Sequence, residues 1–169
     1  MIRNPRARFI VLFLVILVGS FAMIAWNPVN DRLIVPYTSQ IAKVAGTTLD
    51  WMGEQTTVTG TLITSTTFAV DVRNGCNGVE AMLILVAAIL AFPAPWKARL
   101  AGVGVGTVII QVLNLVRIDT LYLLGKYRPE LFEIFHNAIW QVAIVLVAVA
   151  TFFEWSRRIA STRSLEAPG

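Results

Sequence analysis

Residues 79–92, Val-Glu-Ala-Met-Leu-Ile-Leu-Val-Ala-Ala-Ile-Leu-Ala-Phe, decide the fold, because they form the weakest of four apolar stretches and set the number of membrane crossings. Pro93 and Pro95 end a helix early at this point. The stretch approaches the roughly 20 residues of a membrane span only if Glu80 lies in its first helical turn. The other apolar stretches are Phe9–Ile24, Leu100–Val116 and Ala138–Phe153. Four crossings are predicted, since the charges between the stretches require the second one to cross.

The composition is that of an integral membrane protein. The chain has 169 residues, of which 56% are hydrophobic and 14% are charged, and this exceeds what a soluble core needs. No internal repeat or domain boundary is visible. Residues 1–169 are therefore predicted to form one all-α membrane domain, with spans at about 9–26, 77–93, 99–118 and 136–154.

Basic residues collect in three places, and short cytoplasmic loops carry an excess of them. They precede the first stretch, separate the second from the third, and follow the fourth: Arg3, Arg6, Arg8, Lys97, Arg99, Arg157, Arg158 and Arg163. Both termini are thus predicted to be cytoplasmic and the loop 27–76 extracytoplasmic. The net charge of +4 follows from this topology, and no basic helix with interleaved aromatic residues indicates nucleic-acid binding.

The first stretch also resembles a secretory signal peptide, with a basic start and the small residues Ala22 and Ala25 near its end. Trp26 and Pro28 are more typical of an interfacial anchor. Cleavage would leave three spans without changing which face the later residues share.

The loop 27–76 is predicted to contain an amphipathic helix that lies along the membrane surface, and a short β-hairpin. The helix is indicated by the spacing of its apolar residues: Val29, Leu33, Ile41, Val44, Leu49 and Met52. Pro36 is expected to break or kink it, and Gly46 and Gly53 to interrupt it further. Alternation in 58–62 and 68–72, across a turn at Thr64-Ser65-Thr66, predicts the hairpin.

Cys76, the only cysteine, lies in the polar turn Asn74-Gly75-Cys76-Asn77-Gly78. A lone thiol cannot form an internal disulfide, so it is either an inert small hydrophobe or a reactive group. Burial in an apolar helix would indicate the inert alternative. A polar turn before a helix favours the reactive one, because the helix amides can favour a thiolate.

Arg117 interrupts the end of the third stretch, and charged residues within apolar segments usually face a protein interior or a water-filled cavity. Snorkelling to the headgroups is the alternative for an isolated arginine. Gln111, Asn114 and Thr120 continue a polar stripe on the same helical face, which points into a bundle. The glycines in this helix lack the strand and spacing of a nucleotide site and favour close helix packing: Gly102, Gly104 and Gly106.

His136, the only histidine, precedes the fourth stretch and is predicted to lie at the same membrane face as Cys76 and Arg117. With one histidine and one cysteine a metal site is not expected, which leaves a structural role or proton transfer. Three supporting residues are Asn77 beside the thiol, Asn114 one turn from Arg117, and Glu80 one turn from Cys76. The last two could orient their neighbours, although an acid in a first helical turn is favoured in any case.

These residues resemble the exosortase and archaeosortase family. The resemblance rests on the turn Asn74–Gly78 before an apolar span, the segment Asn114–Ile118 closing the next, and His136 opening the last. It covers the hairpin to the end of the fourth span, and the short length is most similar to exosortase H. Typical members are longer, so the chain resembles a reduced form that keeps the core.

The resemblance implies a sortase-like cysteine peptidase or transpeptidase of the bacterial cytoplasmic (inner) membrane. Its partners would be the bilayer and exported proteins with a C-terminal sorting signal made of a short motif, a hydrophobic helix and a basic tail. The signal would be cleaved outside the membrane through a thioester, without a cofactor, and its helix is expected to dock beside the second and third spans. Cys76 would be the nucleophile, Arg117 would stabilise the oxyanion or position the peptide, and His136 would be a general acid or base. The identity of the general base stays open at this point.

Two other functions fit parts of the sequence. A membrane adaptor or assembly factor would use the loop to recognise a partner and the polar stripe for helix association, and would need no thiol. A thiol redox partner would lack the usual second, resolving cysteine.

Overall fold

Helices form most of the protein in this computed structural model, which describes residues 4–166 and the side chains of residues 4–161. The helices are α1 (Pro5–Ala25), α2 (Asn27–Val29), α3 (Val35–Trp51), α4 (Val79–Ala91), α5 (Trp96–Tyr127), α6 (Pro129–Ile134) and α7 (Trp140–Glu166). Two π-helical segments join α2 to α3 and α6 to α7: Asn30–Ile34 and Phe135–Ile139. Among the basic residues used to predict the topology, Arg3 and the side chain of Arg163 lie outside the described part.

Within the described residues, three helical segments are long and apolar enough to cross a membrane: Pro5–Ala25, Trp96–Tyr127 and Pro129–Ser161. The fourth predicted span is the apolar helix α4, whose 13 residues extend about 20 Å, less than the roughly 30 Å of a hydrocarbon core. The prediction of an all-α, multi-pass membrane protein is confirmed. That α4 itself crosses the bilayer stays a prediction.

Helix α4 lies at the centre of the bundle and packs against α1, α5 and α7. Its apolar side chains form a cluster with α5 and α7, which we call the bundle core: Ala81, Leu85, Ile89, Ile110, Ile144 and Ala148. The glycines of α5 allow this approach, because a Cβ at Gly102 would meet the Trp155 ring and one at Gly106 would meet Leu85. Gly104 has nothing within 4 Å of such a Cβ. Close packing is therefore confirmed at two of the three glycines.

Helix α5 is longer than the sequence indicated. The predicted span ended near residue 118, but the helix continues without interruption to Tyr127 and is about 48 Å long. Arg128 interrupts the helix, and Pro129 starts α6 at a position where proline is tolerated. Arg117 consequently lies inside a helix and not at its end.

The amphipathic helix exists, but a different face of it is buried. Helix α3 is continuous from Val35 to Trp51: Pro36 lies in its first turn, after a π-helical segment, and Gly46 is buried within it. Only Gly53, with a φ of 95°, follows its end as expected. The buried face carries Thr38, Ala42, Ala45, Gly46 and Leu49, whereas Leu33, Val44 and Met52 are exposed. Leu49 of the predicted apolar set therefore packs with small residues on the buried face, and that the helix lies along the membrane surface stays a prediction.

The predicted hairpin is part of a three-stranded antiparallel sheet. Its strands are β1 (Thr57–Thr59), β2 (Leu62–Thr64) and β3 (Ala69–Asp71), in the order β1-β2-β3. The turn expected near Thr64-Ser65-Thr66 joins β2 to β3, where Ser65 N–H donates to Phe68 O at 2.8 Å. A second turn, missed by the sequence reading, joins β1 to β2 at Gly60, which has a φ of 62° and does not continue a strand.

The sheet, α3 and the last turns of α5 enclose a second cluster, which we call the sheet core: Ala42, Ala45, Leu49, Ile63, Val72, Ile118 and Tyr122. Phe68 packs edge-on against Tyr122, with ring centroids 5.4 Å apart. At the far end of α5, Lys126 forms an ion pair with Glu54 and Tyr127 donates a hydrogen bond to it at 2.8 Å. Hydrogen bonds from both residues lower the pKa of Glu54. The loop 27–76 is thereby held against α5.

Candidate active site at the Asn74–Gly78 turn

The polar turn owes its shape to two glycines. Gly75 and Gly78 have φ values of 87° and 77°, in the left-handed region that favours glycine. At Gly78 a side chain is excluded by contacts as well, since a Cβ would lie 2.9 Å from Gln111 Nε2 and 3.1 Å from Asn114 Cγ. Gly78 caps α4, and the turn therefore packs directly on α5.

Hydrogen bonds hold the turn from several sides. Asn77 is fully buried; its amide nitrogen donates to Thr38 Oγ1 at 2.9 Å, and its amide oxygen accepts from Val79 N–H at 3.0 Å. Asn74 donates to Asn30 Oδ1 at 2.8 Å. Glu80 Oε1 accepts the N–H of Gly75 at 2.8 Å. Asn77 and Glu80 therefore fix the backbone on both sides of Cys76.

Cys76 and His136 meet at this turn although 60 residues separate them. The Cys76 Sγ lies 3.8 Å from His136 Nε2, within hydrogen-bonding reach for sulfur. His136 does not begin its helix, as the sequence had indicated: the helical segment starts at Pro129, and His136 lies in the π-helical part. π-Helical turns are frequent at functional sites. The Phe132 ring lies beside the imidazole, with centroids 5.5 Å apart.

Arg117 reaches the same turn from α5. It is 3% exposed, so it does not snorkel to the surface, and its Nη1 donates to the carbonyl oxygen of Gly75 at 2.9 Å. Within residues 4–161 it forms no ion pair, and its Nε–H is buried without a partner. A buried guanidinium without a counter-ion, beside a thiol, is suited to receive a negative charge.

The surroundings of Cys76 favour the thiol over the thiolate. Burial raises the pKa of Cys76, the charge of Arg117 acts in the lowering direction, and the charge of Glu80 adds to the increase. The sequence had suggested that helix amides would favour a thiolate here. Cys76 precedes the helix cap by two residues and donates its own N–H to Arg73 O at 2.8 Å. Burial is the largest cause of the shift in its pKa.

Asn114 and Gln111 lie on α5 against the turn, one and two helical turns before Arg117. Gln111 donates to Asn77 O at 3.3 Å, and its own amide oxygen is buried without a partner. Asn114 is fully buried, and neither of its amide atoms has a partner among the described residues. The hydrogen bond to Arg117 that the sequence predicted is not formed, and Asn114 packs against Gly78. Thr120, the last member of the polar stripe, bonds to Val116 O within its own helix.

The structure thus brings together Cys76, Arg117 and His136, which the sequence had singled out. Thr38 and Asn30 belong to the same assembly and were missed. No local pattern marks them, because each acts through one hydrogen bond to the turn from about 40 residues away. In the part of the chain that the structure describes, no group of three or more His, Cys, Asp or Glu side chains could hold a metal ion.

Comparison with known proteins identifies the family. No curated protein and no solved structure matches the chain. A family model described as transmembrane exosortase (Exosortase_EpsH) matches residues 2–157 of the 169. The match includes α1, the Asn74–Gly78 turn, α5 and the π-helical segment Phe135–Ile139. The chain therefore belongs to the transmembrane exosortase family.

Proposed function

We propose that this exosortase is a membrane-embedded cysteine protease or transpeptidase that cleaves the C-terminal sorting signal of exported proteins through a thioester on Cys76. The signal would consist of a short motif, a hydrophobic helix and a basic tail. The enzyme would reside in the bacterial cytoplasmic membrane, with both termini in the cytoplasm and the Asn74–Gly78 turn outside.

One observation carries this proposal. A thiol, an imidazole and a buried, unpaired guanidinium come from three elements that are distant in sequence and converge on one turn. The Cys76 Sγ lies 3.8 Å from His136 Nε2, and the Arg117 Nη1 lies 2.9 Å from the carbonyl oxygen next to Cys76. An inert structural cysteine would require neither neighbour.

The first step is the attack of sulfur on the scissile carbonyl carbon. Because burial keeps Cys76 protonated, His136 Nε2 acts as the general base and takes the thiol proton as the C–S bond forms. The carbonyl oxygen becomes an oxyanion, which the guanidinium of Arg117 stabilises by charge and through its free Nε–H. A positioned donor of this kind contributes about 100- to 1000-fold in rate.

Collapse of the tetrahedral intermediate breaks the C–N bond. His136 returns its proton to the leaving amine, which departs with the hydrophobic helix and basic tail, and the exported protein stays on Cys76 as a thioester. Attack by water, an amine or a lipid nucleophile then releases the product and restores the thiol. In that step His136 takes the proton of the incoming nucleophile as its bond to the acyl carbon forms, the C–S bond breaks, and the proton passes to the Cys76 sulfur.

The test compares processing of a protein with a matching C-terminal signal in cells that express wild type, Cys76→Ala or Cys76→Ser at equal levels. We expect both variants to lose processing, and a covalent adduct with the substrate to be trapped only on the wild type. Normal processing by Cys76→Ala would refute the proposal and would leave the non-enzymatic adaptor function in its place.

A further inference from the structure

Strand β3 is an edge strand with unused backbone hydrogen-bonding groups. In an antiparallel pair, residues alternate between those bonded to the partner strand and those that point away. Val72 N–H donates to Thr61 O, and Ser65 N–H donates to Phe68 O. The backbone N–H and C=O groups of Phe68, Val70 and Val72 therefore point towards β2. The N–H and C=O groups of Ala69 and Asp71 therefore point away from it.

No described residue takes up these outward groups. The sheet order ends at β3, and the backbone of Ala69 and Asp71 makes no other hydrogen bond within residues 4–166. The side chain of Ala69 is exposed, whereas that of Asp71 is held by Thr61 at 2.7 Å and by Arg73 at 2.7 Å. An open edge of this kind is a template for another extended chain.

The same strand leads directly to the thiol. Phe68, which precedes β3, packs against Tyr122 and Gly125, whereas Gly75, which follows it, is bonded to Arg117. These contacts are about 8–12 Å apart along α5, at about 1.5 Å per residue. β3 therefore runs from the far end of α5 back towards the bundle and Cys76.

We infer that the exported substrate pairs with β3 as an added parallel strand, using the extended residues that precede its scissile bond. This inference rests on the proposed function. A substrate chain would run from its exported domain down to its hydrophobic helix, which is the direction of β3, so the pairing is parallel and carries the scissile carbonyl to Cys76. Main-chain hydrogen bonds supply the affinity in such strand addition, and side chains on alternate residues supply the selectivity.

The pairing predicts a period of two along the substrate. In a parallel pair, the N–H and C=O groups of Ala69 bond to two substrate residues that lie two positions apart, and Asp71 does the same further along. Every second substrate residue is therefore hydrogen-bonded to β3. Peptides that carry the signal and an N-methyl group on one amide at a time, tested on wild-type enzyme in detergent, should show this alternation. Methylation of bonded amides is expected to reduce cleavage by about tenfold, and methylation of the amides between them to have little effect.

On the enzyme, Ala69→Pro removes one outward N–H without removing a bond to β2, since proline is tolerated at the outer side of an edge strand. Processing should fall by about tenfold, and should fall less in Ala69→Val, which keeps the N–H. At the opposite edge the control is the pair Val58→Ala and Val58→Pro, because the Val58 side chain packs against the sheet core. Both variants lose that packing, only the proline also loses the outward N–H of β1, and the two should process alike.

Alkylation of Cys76 by a small maleimide reports whether the turn is intact in each variant. If Ala69→Pro alkylates normally and processes no less than Ala69→Val, the inference is wrong. If Ala69→Pro does not fold, the methylated peptides decide: an equal effect at every amide, or none, overturns strand pairing. Either result leaves the proposed function standing as long as Cys76→Ala remains inactive.

Discussion

The bundle core and the sheet core share helix α5 but bury different groups. In the bundle core the packed side chains are all apolar, and glycines let the helices approach closely. Around the sheet core the protein also buries polar side chains: Thr38, Glu54, Asn77, Asn114 and Arg117. A buried polar group lowers the stability of the fold unless it is hydrogen-bonded.

This difference separates the parts of the molecule that hold it in the membrane from the parts proposed to perform chemistry. Three residues of α5 that face Asn74–Gly78 keep buried polar groups without partners, namely Gln111, Asn114 and Arg117. Other buried groups of this kind lie on Arg99, Asp119, Tyr122 and Trp140. None of the residues of the bundle core has such a group. Changes at the turn should therefore affect processing more than stability, and changes in the bundle core should do the reverse.

The largest effect is expected for Arg117→Lys. A lysine keeps the charge but lacks the rigid planar fork of a guanidinium. It therefore cannot donate to Gly75 O and at the same time hold a second N–H in a fixed direction towards an oxyanion. Processing should fall by about 100- to 1000-fold, while alkylation of Cys76 continues. Arg73→Lys is the control, because the Arg73 side chain is 80% exposed and bonds only Asp71 among the described residues. Equal processing by Arg117→Lys and wild type would remove the proposed distinction between the two regions.

The next effect concerns a residue that the sequence did not single out. Thr38→Val leaves the buried Asn77 amide without its partner at 2.9 Å and should cost about 1–3 kcal/mol of stability. It should also slow processing, since Asn77 shapes the turn. Thr47→Val is matched, being on the same helix with its hydroxyl on an i−4 carbonyl but at an exposed position. Thermal unfolding in detergent measures the change in stability, and the processing assay measures the change in activity. If Thr38→Val and Thr47→Val have the same unfolding midpoint and the same processing, the role given to Asn77 is contradicted.

A change in the bundle core should affect stability alone. In Gly106→Ala the new methyl group would meet Leu85 Cδ2 at 2.5 Å, and overpacking of this kind costs about 1–3 kcal/mol, offset by up to about 1 kcal/mol of helix propensity. We expect a lower midpoint of thermal unfolding and unchanged alkylation of Cys76. Gly104→Ala adds the same methyl group in open space, so its midpoint should stay or rise. A loss of processing in folded Gly106→Ala would show that the two cores are coupled.

The contrast also explains what the sequence could predict. Apolar length predicted the four apolar helices. The candidate site was predicted because the thiol and the imidazole each occur once in the chain and Arg117 lies within an apolar stretch. The face of α3, the strand β1 and the π-helical position of His136 depend on packing between distant segments, which no local period records. Thr38 and Asn30 were hidden for the same reason. The thiolate expected from the nearby helix is opposed by burial, a tertiary property and the largest cause of the raised Cys76 pKa.

The smallest effect, and the most direct on the electrostatics of the turn, is expected for Glu80→Gln. The negative charge of Glu80 contributes to the raised pKa of Cys76, and a neutral glutamine removes that contribution while its amide oxygen can still accept the Gly75 N–H. The pKa of Cys76 should fall, so more thiolate is present at any pH below it and maleimide alkylation is faster there. At a pH above the pKa in both proteins the two rates should converge, since each thiol is then ionised. Glu130→Gln removes an equal charge at an exposed position and should leave the profile unchanged. An alkylation profile displaced to higher pH by Glu80→Gln would mean that Glu80 acts by holding the turn and that its charge is screened from the thiol.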